Sequence, residues 1–325
     1  MTDQNFILHA YKFDGHGGAQ ELEGEAITDL LKDKALAWVH LDATHPKTRP
    51  WLQQNISYLD NIILNALLAS ETRPRIMEVN DGTLMILRGV NLNENADPED
   101  MVSIRVWVDA HRIITLQRRQ LKAVHDIHER LMEGSGPQNA GDFIVQLTAR
   151  LFERMEPIMT ELDERVDDIE EKIIDDPEPD EREEIINIRK RAIVFRRYIA
   201  PQKDVMTHLR LSEQPWLDVS QKRHMQESLD RVTRYVEDLD SIRERAQIVK
   251  DELSNALSDR LNKNLYILSV ISAIFLPLGF FTGLMGINIG GMPGVDNSNA
   301  FWIFSGILVV MVAIQISIFK LLKWF

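Results

Sequence analysis

The sequence predicts an α/β domain at its N-terminal end, then a region of long helices, then a two-helix transmembrane hairpin at its C-terminal end. Three observations carry this prediction. Residues 265–285 and 300–319 are apolar and contain no Asp, Glu, Lys, Arg or His. Each run is about 20 residues long, the length a helix needs to cross a bilayer. The first 120 residues hold short β-branched or aromatic segments bounded by turn residues, and from residue 140 onward the apolar residues recur every three or four positions.

In the first region, strands are expected over 6–13, 36–41, 83–90, 101–108 and 112–116. The turns between them are Gly-rich at 14–18, Asn80-Asp81-Gly82, and 109–112, the last joining two strands as a hairpin. Residues 49–68 read as helical, and helices are expected on one side of a mixed sheet. This domain is taken as 1–135.

The long-helix region is taken as 140–263. Phe143, Leu147, Leu151, Met155, Ile158, Leu162, Val166 and Ile169 mark one face of a single long helix, which Pro177 and Pro179 terminate. Asp180 with Glu183 is then expected to cap the return helix. The resulting hairpin, 153–184, holds 16 acidic and 4 basic residues. Such a segment is either a solvated face or a surface that concentrates cations. A second stripe, from Met225 through Val232, Leu239, Ala246 and Leu253 to Leu257, runs without a breaker into the first apolar run. Capped by Ser220 or Asp218, a helix from 220 to 285 would be roughly 100 Å long. Its near-heptad spacing is read as a seam between parallel stalks of several copies. A helix covering its own domain is the alternative.

The membrane region is 264–325, with a first span over 264–286, a loop over 286–299 and a second span over 300–320. Arg260 and Lys263 precede the first span, Lys320 and Lys323 sit at the end of the second, and the loop has neither Lys nor Arg. By the positive-inside rule both termini are cytoplasmic. Tyr266, Phe301, Trp302 and Trp324 suit the interfacial belts. The start of the chain lacks a basic, apolar leader, so export of the polar part is not expected.

Along the first span one face reads Asn262, Leu265, Ser269, Ser272, Leu276, Gly279, Gly283, Gly286, and the other faces are bulky. Small residues permit close helix packing, and they are also what a narrow watery path requires. Two spans enclose nothing by themselves, so transport requires several copies around an axis. Neither span has a carboxylate or imidazole. A divalent ion would therefore cross largely hydrated, its water shell touched by amides and carbonyls.

Absent cysteines exclude disulfides and thiolate metal sites. His125 and His128 stand one helical turn apart, a spacing that suits zinc, with surface roles as the alternative. Asp167, Asp168 and Glu171 of the acidic hairpin and Asp296 of the loop are the other metal candidates. The remaining histidines are scattered, and His40 reads as part of a buried strand end. A net charge of −13 argues against nucleic acid as a partner. No phosphate loop, catalytic triad or paired-carboxylate arrangement is present, so no enzyme and no cofactor are expected.

Gly286-Ile287-Asn288, at the outer end of a Pro-containing span, resembles the Gly-Met-Asn signature of the CorA family of divalent-cation transporters. With Ile in place of Met, and with Thr72-Arg73-Pro74-Arg75 and the stretch 196–202, the chain is more similar to the zinc-transporting branch of that family. The resemblance implies a funnel-shaped homopentamer in a bacterial inner membrane, with the first span lining the pore. It implies a ring of Asn288 amides as the selective entrance and a second ring of Asn262 near the cytoplasm. It further implies transported Zn²⁺, with Cd²⁺, Co²⁺ or Ni²⁺ as companions, and uptake coupled to protons. Family members usually have Met-Pro-Glu in the outer loop; here Gly294 follows Met292-Pro293 and removes a carboxylate from the mouth. A magnesium or cobalt channel, zinc efflux, and a two-span signalling or scaffold protein are the competing readings.

Overall fold

The computed structural model describes residues 6–31, 35–56, 58–175, 178–287, 294 and 296–322. Strands β1 (Ile7–Phe13), β2 (Ala19–Glu21), β3 (Ala37–Asp42), β4 (Arg75–Val79), β5 (Gly82–Gly89), β6 (Val102–Val108) and β7 (Arg112–Gln117) form one sheet in the order β2-β1-β3-β7-β6-β5-β4. The β3–β7 pair is parallel, and the other described pairs are antiparallel. All five expected strands are present. The two additional ones, β2 and β4, are the edge strands, which lie half in solvent and show little apolar patterning.

Side-chain alternation in β3 explains the layers. Ala37, Val39 and Leu41 enter an apolar core with Ile27 and Leu30 of α1 (Glu25–Leu30), Leu52 of α2 (Thr48–Asn55) and Ile63 of α3 (Asn61–Leu68). Trp38 and His40 point the other way. There Trp38 packs on Phe143 of α5 (Ala140–Glu153), and Tyr11 reaches His128 of α4 (Lys122–Met132). A strand buried on both faces needs cover on both, so helices flank the sheet on two sides, not one. The helical stretch expected over 49–68 is two helices. Asp60 caps the second by accepting from the Ile63 N–H at 2.8 Å, which fixes a new start inside the segment.

The helix expected from 140 to 175 also divides, into α5 and α6 (Glu156–Asp175). Pro157 is the reason: it has no N–H to bond the residue 153 carbonyl, and it fits only the first turn of a new helix. α7 (Pro179–Leu211) is capped two residues earlier than expected. Its capping box is Glu178 with Glu181, because Pro179 is suited to the first helical position. α8 (Val219–Met285) is a single helix of 67 residues. Asp218 caps it, accepting from the Gln221 N–H at 2.8 Å while Gln221 Oε1 accepts from Asp218 N–H. α9 (Ala300–Leu321) completes the chain's described elements.

The chain divides into two compact units, Met1–Glu252 and Leu253–Phe325. In the first unit the α8 stripe of Met225, Val232, Leu239, Ile242, Ala246 and Val249 is buried within the single chain. Tyr235 on the same stripe donates its hydroxyl to the Phe152 carbonyl at 3.1 Å. The stripe over this stretch therefore covers its own domain and is not a seam between copies. Periodicity reports that a face is buried, not against what.

Candidate functional site

The second unit pairs the C-terminal part of α8 with α9. Its apolar stretches are almost wholly exposed, which separates them from core helices of the same composition; the chain is a membrane protein. Pro277 interrupts the first span without ending the helix. Proline has no N–H for the carbonyl four residues back, here that of Ala273. In hydrocarbon an orphan carbonyl has no water to turn to. Gln315 of α9 supplies the missing donor, its Nε2 lying 3.2 Å from the Ala273 oxygen. Sequence reading passed over Gln315. The signal was there: it is the one carboxamide in the second span, in a chain with a proline in the first.

Beyond residue 264, the α8 residues that are buried or half-buried are Val270, Ala273, Ile274, Pro277 and Leu278. At 3.6 residues per turn they form one stripe. Asn262, Leu265, Ser269, Ser272, Leu276, Gly279, Gly283 and Gly286 are all exposed. Leu265, Ser272, Leu276, Gly283 and Gly286 lie on the side opposite the stripe, whereas Asn262 and Ser269 stand three turns and one turn from Ala273, and Gly279 lies on the flank. A Cβ added at Gly279 or Gly283 would meet nothing within 4 Å. Gly279 also borders a cleft of about 530 Å³ that α8 forms with Leu308, Val309 and Val312 of α9. The Ser269 hydroxyl donates to the Leu265 carbonyl at 2.7 Å, so its proton is held within the helix and its oxygen is left to accept.

At the end of the span the Gly286 N–H bonds the Thr282 carbonyl at 2.9 Å. A Cβ at Gly286 would stand 3.1 Å from that same oxygen, so a larger residue would press on the turn. Ile287 is exposed. Asn288, the remaining residue of the signature, lies outside the described residues, as do Met292, Pro293, Lys323 and Trp324. Asp296 is exposed in the loop.

The metal candidates of the first unit do not assemble as a ligand set. Among the described residues no three His, Cys, Asp or Glu side chains are arranged to hold a metal ion. Asp167 is bonded to Arg245 of α8, which also takes Asp163 and Glu170, and these carboxylates hold the guanidinium pKa above its ordinary value. Asp168 and Glu171 are exposed. Part of the acidic segment is thus neutralised inside its own fold.

His125 pairs with Glu129 at 3.2 Å, while His128 Nδ1 lies 2.8 Å from the Tyr11 hydroxyl. The ring of His128 stacks on His9 with centroids 4.5 Å apart and planes 18° from parallel. A metal must lie in the plane of each imidazole that binds it, and stacked rings share no such plane. Sequence reading missed this histidine row because His9, His40 and His128 are distant in the chain. They meet because β1 and β3 pair His9 with His40, and α4 lays His128 over them. His40 is fully buried, with Nδ1 2.7 Å from the Thr115 hydroxyl. Burial and the neighbouring imidazoles depress His9 to about 4, and burial with His9 beside it depresses His40 to about 3.

Comparison with known proteins matches residues 33–321 to the family described as CorA-like Mg²⁺ transporter protein. The chain is 36% identical over 317 residues to the zinc transport protein ZntB of Pectobacterium carotovorum, covering 98% of this chain and 95% of that one. It is 34% identical over 326 residues to the divalent cation transporter CmaX of Pseudomonas aeruginosa, covering 99% and 98%. The solved full-length structure of CmaX superimposes with a TM-score of 0.85 at 35% identity, covering 99% of both chains. The α/β domain, the long helices and the two-span hairpin are thus shared along the whole length, and the chain belongs to the CorA-like family of divalent-cation transporters.

Proposed function

We propose that this chain carries Zn²⁺ into the cell through a pore on the axis of a homopentamer, with the first span of each copy as the wall. The observation that carries this reading is the side of α8 opposite α9: small, weakly polar, unpartnered in one chain and free of charge. Five such faces around an axis give a path whose walls offer hydroxyl and carbonyl oxygens but no carboxylate. Such a wall touches the water around a dication without trapping the ion. In this scheme the Asn288 amides form the outer ring and the Asn262 amides the inner one. Both termini lie in the cytoplasm, on the side to which Arg260 and Lys320 assign them.

Zinc, not magnesium, is favoured by Ile287 in the signature and by Gly294 where a carboxylate is usual, together with the name borne by the Pectobacterium relative. Uptake is taken to be driven by a proton gradient. Since neither span has an acidic or imidazole relay, protons in this scheme move on the water of the pore. The inner membrane of a bacterium is the compartment in which such a gradient is available.

The test is flux into liposomes loaded with a zinc-sensitive dye, with and without a pH gradient, and with Mg²⁺ and Co²⁺ as competitors. Zinc entry that rises with the gradient and falls with Asn288→Ala is expected. Unchanged flux in Asn288→Ala would remove Asn288 from the selective ring, and preferential block by Mg²⁺ would favour the magnesium reading that the family description carries.

A further inference from the structure

Three neighbouring strands bring arginines to one end of the sheet. Register pairs Arg88 of β5 with Ser103 of β6, and Arg105 of β6 with Leu116 of β7. Arg118 follows Leu116 by two residues and is therefore level with Ser103. Because side chains alternate along a strand, Arg88, Ser103, Arg105 and Arg118 all fall on the same face. This is also the end at which the parallel strands β3 and β7 finish, with Thr44 just beyond one and Arg118 just beyond the other. Crevices outside the carboxyl ends of parallel strands are the usual ligand sites of open α/β sheets.

A cavity of about 350 Å³ opens there, lined by Thr44, Ser70, Arg88, Ser103, Arg118 and Arg119, with no carboxylate in its lining. Of the acids that flank these strands, one neutralises a residue of the lining. Asp100 is bonded to Arg119, and Asp42 accepts from the N–H and hydroxyl of Thr44. Arg88 is fixed as part of the wall: it donates to the Thr72 and Met101 carbonyls and lies over the Tyr198 ring. Arg105 stands one pleat along and is wholly buried. One of its nitrogens, Nη2, donates to the Ala69 carbonyl at 2.8 Å, but Nε and Nη1 have no hydrogen-bond partner among the described residues. Burial, with Arg118 and Arg88 close by, lowers its pKa to about 10. A buried cation without a counter-charge is expensive, and here the guanidinium groups of Arg88 and Arg118 lie close by, with Arg119 paired to Asp100. Nothing in the transport reading uses them.

We propose that this pocket binds a phosphate group, either free or carried by a nucleotide. Guanidinium forks and hydroxyls together match a tetrahedral dianion, which presents several acceptor oxygens at once. The cavity lies at the small end of the range of about 300–1,000 Å³ typical of small-molecule sites. A bound dianion supplies the charge that Arg105 lacks and ties the segment after α3 to β5, β6 and the end of β7. The cytoplasmic part of a cation transporter is thereby made responsive to an anion.

The experiment uses the full chain in detergent micelles. Thermal unfolding and calorimetric titration are followed with sodium phosphate, with ADP, and with sodium chloride and sulfate at matched ionic strength. Saturable stabilisation by phosphate or ADP beyond that of chloride is expected, with sulfate, a tetrahedral dianion of the same shape, competing for the site. Response to phosphate identifies the free anion, and response to ADP alone identifies the nucleotide as its carrier. Arg118 is exposed, so Arg118→Gln leaves the fold intact, and it should weaken binding by about tenfold or more. No saturable binding by either ligand, an equal effect of chloride, or wild-type affinity in Arg118→Gln overturns the proposal.

Discussion

β3 and the first span are both apolar segments, yet they meet their surroundings in opposite ways. β3 is buried on both faces by its own chain, through the α1–α3 core on one side and Phe143 and Thr115 on the other. In the span, only the stripe from Val270 to Leu278 is covered, and the rest of the helix faces nothing in the single chain. The first unit is complete by itself. The second is built to be finished by lipid on some faces and, in the proposed assembly, by copies of itself on another.

Acid separates the two most strongly. His9 and His40 are neutral in the fold, with pKa values of about 4 and about 3, against an ordinary value of 6.5. Unfolded imidazoles take up protons below about pH 6.5 while the folded ones do not. Stability is therefore full above that pH, falls as pH drops toward 4, and stops falling through these groups once the folded rings also protonate. The slope is at most about 1.4 kcal/mol per pH unit for each histidine. Urea titrations of the full chain at several pH values, followed by tryptophan fluorescence, should show this fall, and His40→Gln should flatten it. The second unit has no histidine, so helicity of the spans should persist through the same range. Loss of both together would mean that the units are not separate in stability.

A smaller effect probes the contact between the spans. Gln315→Leu leaves the Ala273 carbonyl without a donor, and interhelical hydrogen bonds in membranes are worth about 0.6–1.7 kcal/mol. Reversible unfolding in mixed micelles should report a loss in that range. Pro277→Ala in the same background should recover it, because the N–H at residue 277 can then bond Ala273 directly. No recovery would break the link between the proline and the glutamine.

The smallest expected effect is also the most telling. Gly283→Ala adds a methyl group where one chain has empty space, so the fold of the monomer should change by no more than about 0.5 kcal/mol. If that face is shared between copies, the mass of the detergent-solubilised complex or the zinc flux changes although stability does not. Unaltered assembly and flux would show that the glycine face meets only lipid or water.

The hairpin was legible because twenty residues without a charge have few other uses. The start of α8 was legible to within two residues, with Asp218 one of the two capping candidates and Gln221 unnoticed. Pro157 was equally visible, but an unbroken apolar period from Phe143 to Ile169 masked it. The partner of the α8 stripe was beyond sequence reading, since spacing describes one surface only. The arginine pocket and the histidine row were hidden for a related reason. Each is made by strand register between segments tens of residues apart, and no local pattern announces it. The Gly-Ile-Asn stretch after the first span was recognisable as a motif, whereas which side of the helix α9 covers emerged only from packing.

The parallel pair at the centre of the sheet also sets a timetable for synthesis. β3 can pair with β1 as soon as both have left the ribosome, but β7 follows roughly 70 residues later, at translation rates of about 5–20 residues per second. For several seconds β3 is an open edge, with Trp38, Val39 and Leu41 not yet covered by the strand that will lie beside them. Edges of that kind pair readily with other chains. That edge closes when β7 pairs with it, well before the first membrane span at the end of α8 is made.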